Sequence, residues 1–139
     1  MTIDKIQQEI VEEFSMFDDW MQRYEYIIEL GKSLSIIDEK HQTEENLIKG
    51  CQSKVWLYAE KNAEKNVVYK ANSDAILTKG IIALLLRVFS NQKPQDILAA
   101  NIHFIDEIGL KEHLSPTRAN GLLSMIKQIK LYALAFQNK

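Results

Sequence analysis

The first third of the chain repeats apolar residues at the three- and four-residue spacing of an amphipathic helix. In the segment 3–14, the repeating residues are Ile3, Ile6, Ile10 and Phe14. In the segment 17–32, one helical face would carry Phe17, Trp20, Met21, Tyr24, Ile27 and Ile28. Asp18 and Asp19 fall in the first turn of the second segment and Gly31 near its end, as helix ends prefer. We therefore predict two helices, with the aromatic residues of the second one packed in the core.

Residues 38–46 are a polar stretch that is typical of a loop. After them, the spacing of apolar residues changes from a helical period to a period of two. Apolar residues then occupy every second position between residues 53 and 60, as in a half-buried strand. Those inward positions are Val55, Leu57 and Ala59. Residues 61–66 are typical of a turn, and residues 67–69 supply a second strand. The pattern predicts an antiparallel hairpin, and a short third strand over 47–49 would give a sheet of about three strands.

The next segment, capped by Ser73 or Asp74, is predicted to be a helix that continues to about Ser90. It is apolar nearly all round, at Ile76, Leu77, Ile81, Ile82, Leu84, Leu85 and Val88. A helix without a polar face is expected at the centre of a fold. Gly80 lies inside it at a cost of roughly 1 kcal/mol in helix propensity. We therefore expect another part of the backbone to approach Gly80 closely.

The last third of the chain is predicted to be helical, in two short pieces and one long one. The short helices begin near Pro94 and Ile105. Ser115 and Pro116 have the residue types of an N-cap and a first helical position, so the long helix should start there. Its apolar stripe would be Leu122, Ile126, Ile129, Ala133 and Phe136. Residues 1–139 are thus predicted to form one α+β domain, in which helices cover a small antiparallel sheet.

The composition is that of a soluble globular protein, with 46% hydrophobic and 26% charged residues. A net charge of −2 gives no reason to expect nucleic acid or an anionic membrane as a partner. The apolar run at residues 81–89 is far shorter than the ~20 residues of a membrane span. The first 14 residues are acidic and lack the apolar region of a secretory signal. With a single cysteine, the chain is expected in the reducing cytoplasm.

Metal and cofactor sites are not expected. A structural zinc or an iron–sulfur cluster needs several convergent ligands, and the chain offers Cys51 and three unpaired histidines, His41, His103 and His113. Neither of the glycine-rich phosphate-binding motifs occurs. His41 lies ten residues before Cys51, but nothing in the sequence brings the two together as a hydrolytic pair.

Cys51 remains as the candidate for chemistry. Gly50 before it permits a backbone that lifts the thiol onto a loop, and the next two residues, Gln52 and Ser53, are polar. Lys49 and Lys54 flank the loop, and nearby cations favour the thiolate. Free cysteines are, however, among the most buried residue types. From the residues alone, a packed thiol and a reactive thiol are equally well supported.

A resemblance to a known family distinguishes these two interpretations. The segments on which the resemblance rests are "YIIELGKSL", "NLIKGCQSKVWL", "NSDAILTKGIIALLL", "PQDI" and "HLSPTRANGLLSMIKQIK". Together they resemble the SufE family of sulfur-acceptor proteins, in order and over nearly the whole chain. The strongest matches are residues 50–53 and residues 115–118 followed by Gly121 and Leu122. The paralogous CsdE-type acceptors share much of this pattern.

The resemblance implies a covalent sulfur carrier and not an enzyme. Such proteins bind the cysteine desulfurase SufS, stimulate it, take the outer sulfur of its persulfide, and pass it to the SufBCD scaffold for iron–sulfur assembly. The pyridoxal phosphate stays on the desulfurase, so no cofactor is expected here. A CsdA-type desulfurase is an alternative partner, and a homodimer is left open. The implied fold is the one shared with IscU-type scaffolds.

The resemblance also implies roles for individual residues. Cys51 would carry the persulfide, with Gln52 and Ser53 in the same loop. Because a persulfide is easily reduced, we further hypothesise that Cys51 is sheltered in the free protein and swings out on docking, with Gly50 as the pivot. Asp74 would lie near that loop and hold it at rest. Arg118 would contact the loop or a carboxylate of the partner. Two other hypotheses compete: a thiol hydrolase that uses Cys51 with a histidine base, and a non-catalytic adaptor in which Cys51 is structural.

Overall fold

Six α-helices and two strands form the fold of residues 1–137, the part of the chain that the computed structural model describes. The helices are α1 (Ile3–Phe14), α2 (Trp20–Gly31), α3 (Ile76–Phe89), α4 (Pro94–Ala99), α5 (Phe104–Glu107) and α6 (Pro116–Gln137). The strands are β1 (Val55–Lys61) and β2 (Val67–Ser73). Single 3₁₀ turns occur at Glu39–His41, Glu44–Asn46 and Lys111–His113. This order confirms the α+β class.

The two strands pair antiparallel, with Val55 opposite Ser73 and Lys61 opposite Val67. Within residues 1–137 the sheet has two strands, not about three. The segment predicted as a third strand makes one isolated bridge, between Leu47 and Trp56, before the chain turns away. One further bond continues this pairing, from the Ile48 amide to the Val55 carbonyl at 2.8 Å.

Helix α3 lies at the centre of the fold, as its apolar sequence predicts. Ten of its residues are buried. A Cβ atom built on Gly80 would stand 2.1 Å from the Ile27 carbonyl oxygen of α2, which confirms the predicted close approach. Gly31 lies on the other side of the same crossing, where a Cβ would come 3.0 Å from the Gly80 nitrogen. The two helices therefore touch backbone to backbone.

The start of α3 differs from the prediction. The helix begins at Ile76, and neither Ser73 nor Asp74 caps it, because β2 continues through Ser73. Both side chains bind the backbone of Lys54 instead. The inner face of α2 also differs, since Met21 is 64% exposed. Trp20 and Tyr24 pack against the core as expected, although both are only partly buried.

Helix α6 begins as predicted, with Pro116 as its first residue. The Ser115 hydroxyl accepts a hydrogen bond from the Arg118 amide at 3.3 Å. Its buried side is formed by Gly121, Leu122, Met125, Ile129 and Ala133. The buried Tyr69 hydroxyl of β2 donates to the Ile129 carbonyl at 2.7 Å, which joins the hairpin to the middle of α6.

A half-buried ion pair joins α1 to α3. Arg87 donates two hydrogen bonds to the Glu13 carboxylate, the Nη1–Oε1 distance being 2.9 Å. The Tyr26 hydroxyl of α2 donates to the same carboxylate at 2.6 Å. The Arg87 hydrogen bonds, and to a lesser degree the Tyr26 bond, hold the pKa of Glu13 below its ordinary value against the opposing effect of burial.

We expect this pair to make folding stability depend on acid pH. A lowered pKa in the folded state stabilises the protein above pH 4.5, the ordinary pKa of the residue, and this stabilisation is lost as the pH falls through the folded value. Glu13→Gln should cost about 1 kcal/mol at pH 7 and flatten the loss of stability between pH 5 and about pH 3. Urea unfolding at several pH values measures both effects. Glu12→Gln, at an exposed position of the same helix, should change neither, and an unaltered acid slope in Glu13→Gln would contradict the assignment.

Candidate functional site

The lone cysteine lies on a short loop between the Leu47 bridge and β1. Gly50 has a φ of +91°, a conformation that favours glycine over residues with a side chain. A Cβ there would also come 2.7 Å from the Ser124 hydroxyl of α6. The backbone shape favours glycine directly before Cys51, and a side chain there would also have to displace the Ser124 hydroxyl. The predicted placement of Cys51 on a loop shaped by Gly50 is what the structure has.

The Cys51 side chain is half-buried against α6. Its Sγ lies 3.6 Å from the Gly121 carbonyl oxygen, to which the thiol donates. This approach does not depend on the missing side chain of Gly121, since a Cβ there would still keep 3.5 Å from Sγ. Burial raises the pKa of the Cys51 thiol, so the expectation that Lys49 and Lys54 lower it is wrong. Both lysines are exposed to solvent.

A shallow pocket surrounds the thiol where the loop meets α3 and α6. The residues that line it are Cys51, Gln52, Ser53, Thr78, Ile81, Arg118, Gly121, Leu122 and Met125. Its free space is about 20 Å³, roughly the room of one water-sized group. The half-buried thiol is thus partly covered in the resting structure, and the pocket beside it has room for about one water-sized group.

The far end of the loop is fixed to the end of β2. The Asp74 carboxylate accepts the Lys54 amide at 3.0 Å, and the Asp74 amide donates to the Lys54 carbonyl at 3.2 Å. The Ser73 hydroxyl donates to the same carbonyl at 2.8 Å. Asp74 therefore lies beside the loop, as the resemblance implies, and it acts on the backbone three residues after Cys51.

Arg118 reaches the site from the first turn of α6. Its side chain is exposed and lines the pocket together with Gln52 and Ser53. Within residues 1–137 it is the charged side chain of that lining. The structure thus brings together four of the predicted residues besides Cys51 and Gly50: Gln52, Ser53 and Arg118 at the pocket, and Asp74 at the anchor of the loop.

The three histidines have other neighbours. His41 stacks on Tyr58 with a centroid distance of 3.9 Å, and His113 stacks on Trp20 at 4.2 Å. His103 lies 2.7 Å from a Glu107 carboxylate oxygen. The pocket lining contains no histidine among the described residues. The same part of the chain has no group of three or more His, Cys, Asp or Glu residues that could hold a metal ion.

Sequence reasoning did not find the residues that cover the thiol. Gly121 supplies the carbonyl acceptor, and Thr78 is a polar residue only 7% exposed in the wall of the pocket. Met125 and Ile81 complete the apolar part of that wall. The available signals were a glycine on the apolar stripe of α6 and a threonine inside the largely apolar α3, and Gly121 was used only as a match to the family.

A comparison with protein-family models identifies one family. The model for the SufE domain, described as an Fe–S metabolism associated domain, matches residues 8–133. That span covers most of the chain and contains both the Cys51 loop and the α6 residues beneath it.

Curated relatives carry the same family name. A SufE-like protein of Rhizobium meliloti (strain 1021), named uncharacterized, is 41% identical over 126 residues, which are 88% of this chain and 90% of the relative. SufE-like protein 1, chloroplastic/mitochondrial, of Arabidopsis thaliana is 41% identical over 132 residues, which are 95% of this chain. The match covers only 36% of the plant protein.

A solved structure shares the fold. The solution structure of a hypothetical protein from Thermus thermophilus superimposes with a TM-score of 0.80 and covers 100% of both chains. The two sequences are 18% identical, so this likeness concerns the fold alone. Within residues 1–137, we find no helix with the length and apolar character that crossing a membrane requires.

Proposed function

Because the chain belongs to the SufE family, whose domain is associated with iron–sulfur metabolism, we propose that Cys51 accepts sulfur from a cysteine desulfurase and carries it as a persulfide. The partner is a SufS-type enzyme, which holds the pyridoxal phosphate. The loaded chain passes the sulfur to a SufBCD-type scaffold. The protein acts as a carrier that is used once per sulfur and reloaded.

The transfer needs one nucleophile and one leaving group. The Cys51 thiol loses its proton to solvent, and its thiolate attacks the outer sulfur of the desulfurase persulfide. The bond between the two sulfurs of the donor breaks, and the donor's inner sulfur leaves as a thiolate. A new sulfur–sulfur bond forms on Cys51. The reaction requires no metal, oxyanion hole or second cysteine in this chain.

The observation that carries the proposal is the half-buried position of Cys51, with its thiol turned onto α6. A persulfide is readily reduced, so a carrier benefits from a loop that shelters it between partners. The Sγ contact with Gly121 and the pocket of about 20 Å³ provide that shelter. The raised pKa keeps the resting thiol protonated and slow to react with other electrophiles. The loop must therefore leave α6 before Cys51 becomes a good nucleophile.

A thiol hydrolase is less well supported. General-base activation requires a base within hydrogen-bond reach of the thiol. The partner of Sγ is a carbonyl acceptor, and the histidines stack or pair elsewhere. No observation favours this second function.

The proposal is tested by weighing the intact chain after incubation with a SufS-type desulfurase and free cysteine. We expect one added sulfur atom, removed by a thiol reductant and blocked by prior alkylation of Cys51. A parallel incubation with a CsdA-type desulfurase identifies the preferred partner. A chain that gains no sulfur from either enzyme contradicts the proposal.

Removing the Asp74 carboxylate should free the loop. The Lys54 amide would lose its acceptor, and a bond to a charged group is worth about 1 kcal/mol at an exposed site. The open population of the loop should then rise about fivefold. We expect iodoacetamide to alkylate Cys51 about five times faster in Asp74→Ala than in the wild-type chain. The reaction is run at neutral pH and monitored by intact mass.

The control is Asp74→Asn, whose side-chain oxygen still accepts from the Lys54 amide. It should alkylate at nearly the wild-type rate. Thermal melting of both variants checks that the folded fraction is the same during the reaction. Equal alkylation rates for wild type and Asp74→Ala would show that this bond does not hold the loop.

A further inference from the structure

Helix α6 places two groups of opposite charge character near the sulfur of Cys51, a partly negative carbonyl oxygen and a positive guanidinium. Gly121 offers a carbonyl oxygen, which accepts from the thiol at 3.6 Å. Arg118 lies three residues earlier on the same helical face and adds a cation to the same pocket. The two groups are about one helical turn apart on α6 and line the same pocket.

The Gly121 carbonyl can hold only a sulfur that carries a proton. A thiol donates to it, whereas a thiolate or an ionised persulfide places a negative charge against the partial negative charge of the oxygen. The thiol of the empty carrier stays protonated, as the raised pKa of Cys51 supports. A persulfide is a stronger acid than its parent thiol and ionises more readily at neutral pH. Loading therefore replaces a donor by an anion at this position.

We propose that the charge of the sulfur sets the position of the Cys51 loop: the empty thiol rests on the Gly121 carbonyl, and the loaded, anionic persulfide moves to the Arg118 guanidinium at the rim of the pocket. This proposal rests on the proposed function, because it concerns the loaded form of the same cysteine. It makes Arg118 a positioning residue for the outer sulfur. It also gives the carrier a loaded form that differs in shape from the empty one before any partner binds.

The other groups around the pocket do not offer a competing charge. From α3, Thr78 and Ile81 face the thiol, and neither is ionisable. On the loop itself, Lys49 and Lys54 are exposed and absent from the pocket lining. The exposed Asp74 carboxylate accepts the Lys54 amide and is likewise absent from that lining. Among the described residues of the pocket lining, the charged partner for an anionic sulfur is therefore the Arg118 guanidinium.

The test loads the full chain without a desulfurase, so that it does not depend on the proposed donor. Inorganic polysulfide supplies the sulfur: the Cys51 thiolate attacks the terminal sulfur of a hydrodisulfide anion (HSS⁻), the sulfur–sulfur bond of that anion breaks, and hydrosulfide (HS⁻) leaves. Intact mass confirms one added sulfur. The amide ¹H–¹⁵N signals of Gly50 and Gly121 are then followed from pH 5 to pH 8, which is practical because the chain has five glycines.

In the empty chain, we expect both signals to stay constant over this range. In the loaded chain, they should match the empty chain at low pH and shift with a single titration as the persulfide ionises. Cys51 capped with a neutral methylthio group should not titrate. Arg118→Gln should raise the midpoint by about half a pH unit or more, and Arg118→Lys should largely restore it.

Several results would overturn the inference. A loaded chain whose Gly50 and Gly121 signals do not titrate would show that the loop ignores the charge. An unchanged midpoint in Arg118→Gln would remove Arg118 from the mechanism. A chain that cannot be loaded by polysulfide would show that the pocket excludes the outer sulfur. Failure of desulfurase loading alone, with polysulfide loading intact, would count against the proposed function and leave this inference standing.

Discussion

Gly80→Ala is expected to destabilise the protein severely. The new methyl group would stand 2.1 Å from the Ile27 carbonyl oxygen, and this oxygen belongs to the backbone of α2, which cannot turn aside like a side chain. The two helices must separate, which opens the most buried part of the core. We expect a loss of about 3 kcal/mol or more, net of the gain in helix propensity of about 1 kcal/mol.

The matched control is Gly121→Ala, another glycine inside a helix. Its Cβ would meet Cys51 Sγ at 3.5 Å, an ordinary contact distance, so the gain in helix propensity should dominate. Urea unfolding followed by circular dichroism measures both variants. Gly80→Ala should unfold at much lower urea than wild type and Gly121→Ala at equal or higher urea. A Gly80→Ala chain as stable as wild type would show that α2 and α3 can move apart at their crossing without a loss of stability.

Cys51→Ser is expected to abolish sulfur acceptance. A serine hydroxyl is almost fully protonated at neutral pH and does not attack a sulfur–sulfur bond, while its size and hydrogen bonding keep the loop near its resting place. After incubation with desulfurase and cysteine, the chain should show no added mass, and its stimulation of desulfurase turnover should fall to background. Intact mass measures the loading, and sulfide release in the same incubation measures the turnover.

Two comparisons make this result specific to the thiol. Ser53→Ala alters the second polar residue after Cys51 and should retain sulfur loading, which separates the effect of losing the thiol from general damage to the loop. Unfolding of Cys51→Ser should occur near the wild-type midpoint, since a half-buried side chain is replaced by a similar one. If Cys51→Ser still stimulated the desulfurase fully, the acceptor role would fail and an adaptor role would replace it.

Spacing along the chain predicted the helices well, because their burial follows a local period. Three residues of the predicted α6 stripe, Leu122, Ile129 and Ala133, are buried, whereas Ile126 and Phe136 are only partly buried. The burial of α3 on most sides likewise needed no knowledge of distant residues. The cap of α3 was predicted wrongly because the two side chains expected there bind a distant part of the backbone. Ser73 and Asp74 found the backbone of Lys54 as a partner, and a residue's local preference cannot reveal a partner twenty positions away.

At the candidate site, too, the sequence did not reveal contacts between residues that are distant along the chain. Cys51 and its loop were identified from local chemistry together with the family resemblance. The pKa of the Cys51 thiol was expected to be lowered, because two lysines lie near it in sequence. It is raised instead, because residues that are near only in space bury the thiol. The groups that bury it, on α3 and α6, are up to 74 residues away, as at Met125. Gln7 is a comparable case: it is fully buried on a helix face predicted only from apolar residues, and it binds the backbone of residues 101–104.

The two backbone attachments of the loop limit how far the sulfur on Cys51 can move from the body of the protein. Ile48 is tied to Val55, and Lys54 is tied to Asp74. Cys51 is three residues from each, so its Cα can stand at most about 11 Å from either attachment at full extension. The loop is thus a short tether. While both attachments hold, a donor must bring its reactive sulfur within that reach, and a cleft deeper than the tether would have to receive part of this protein's body.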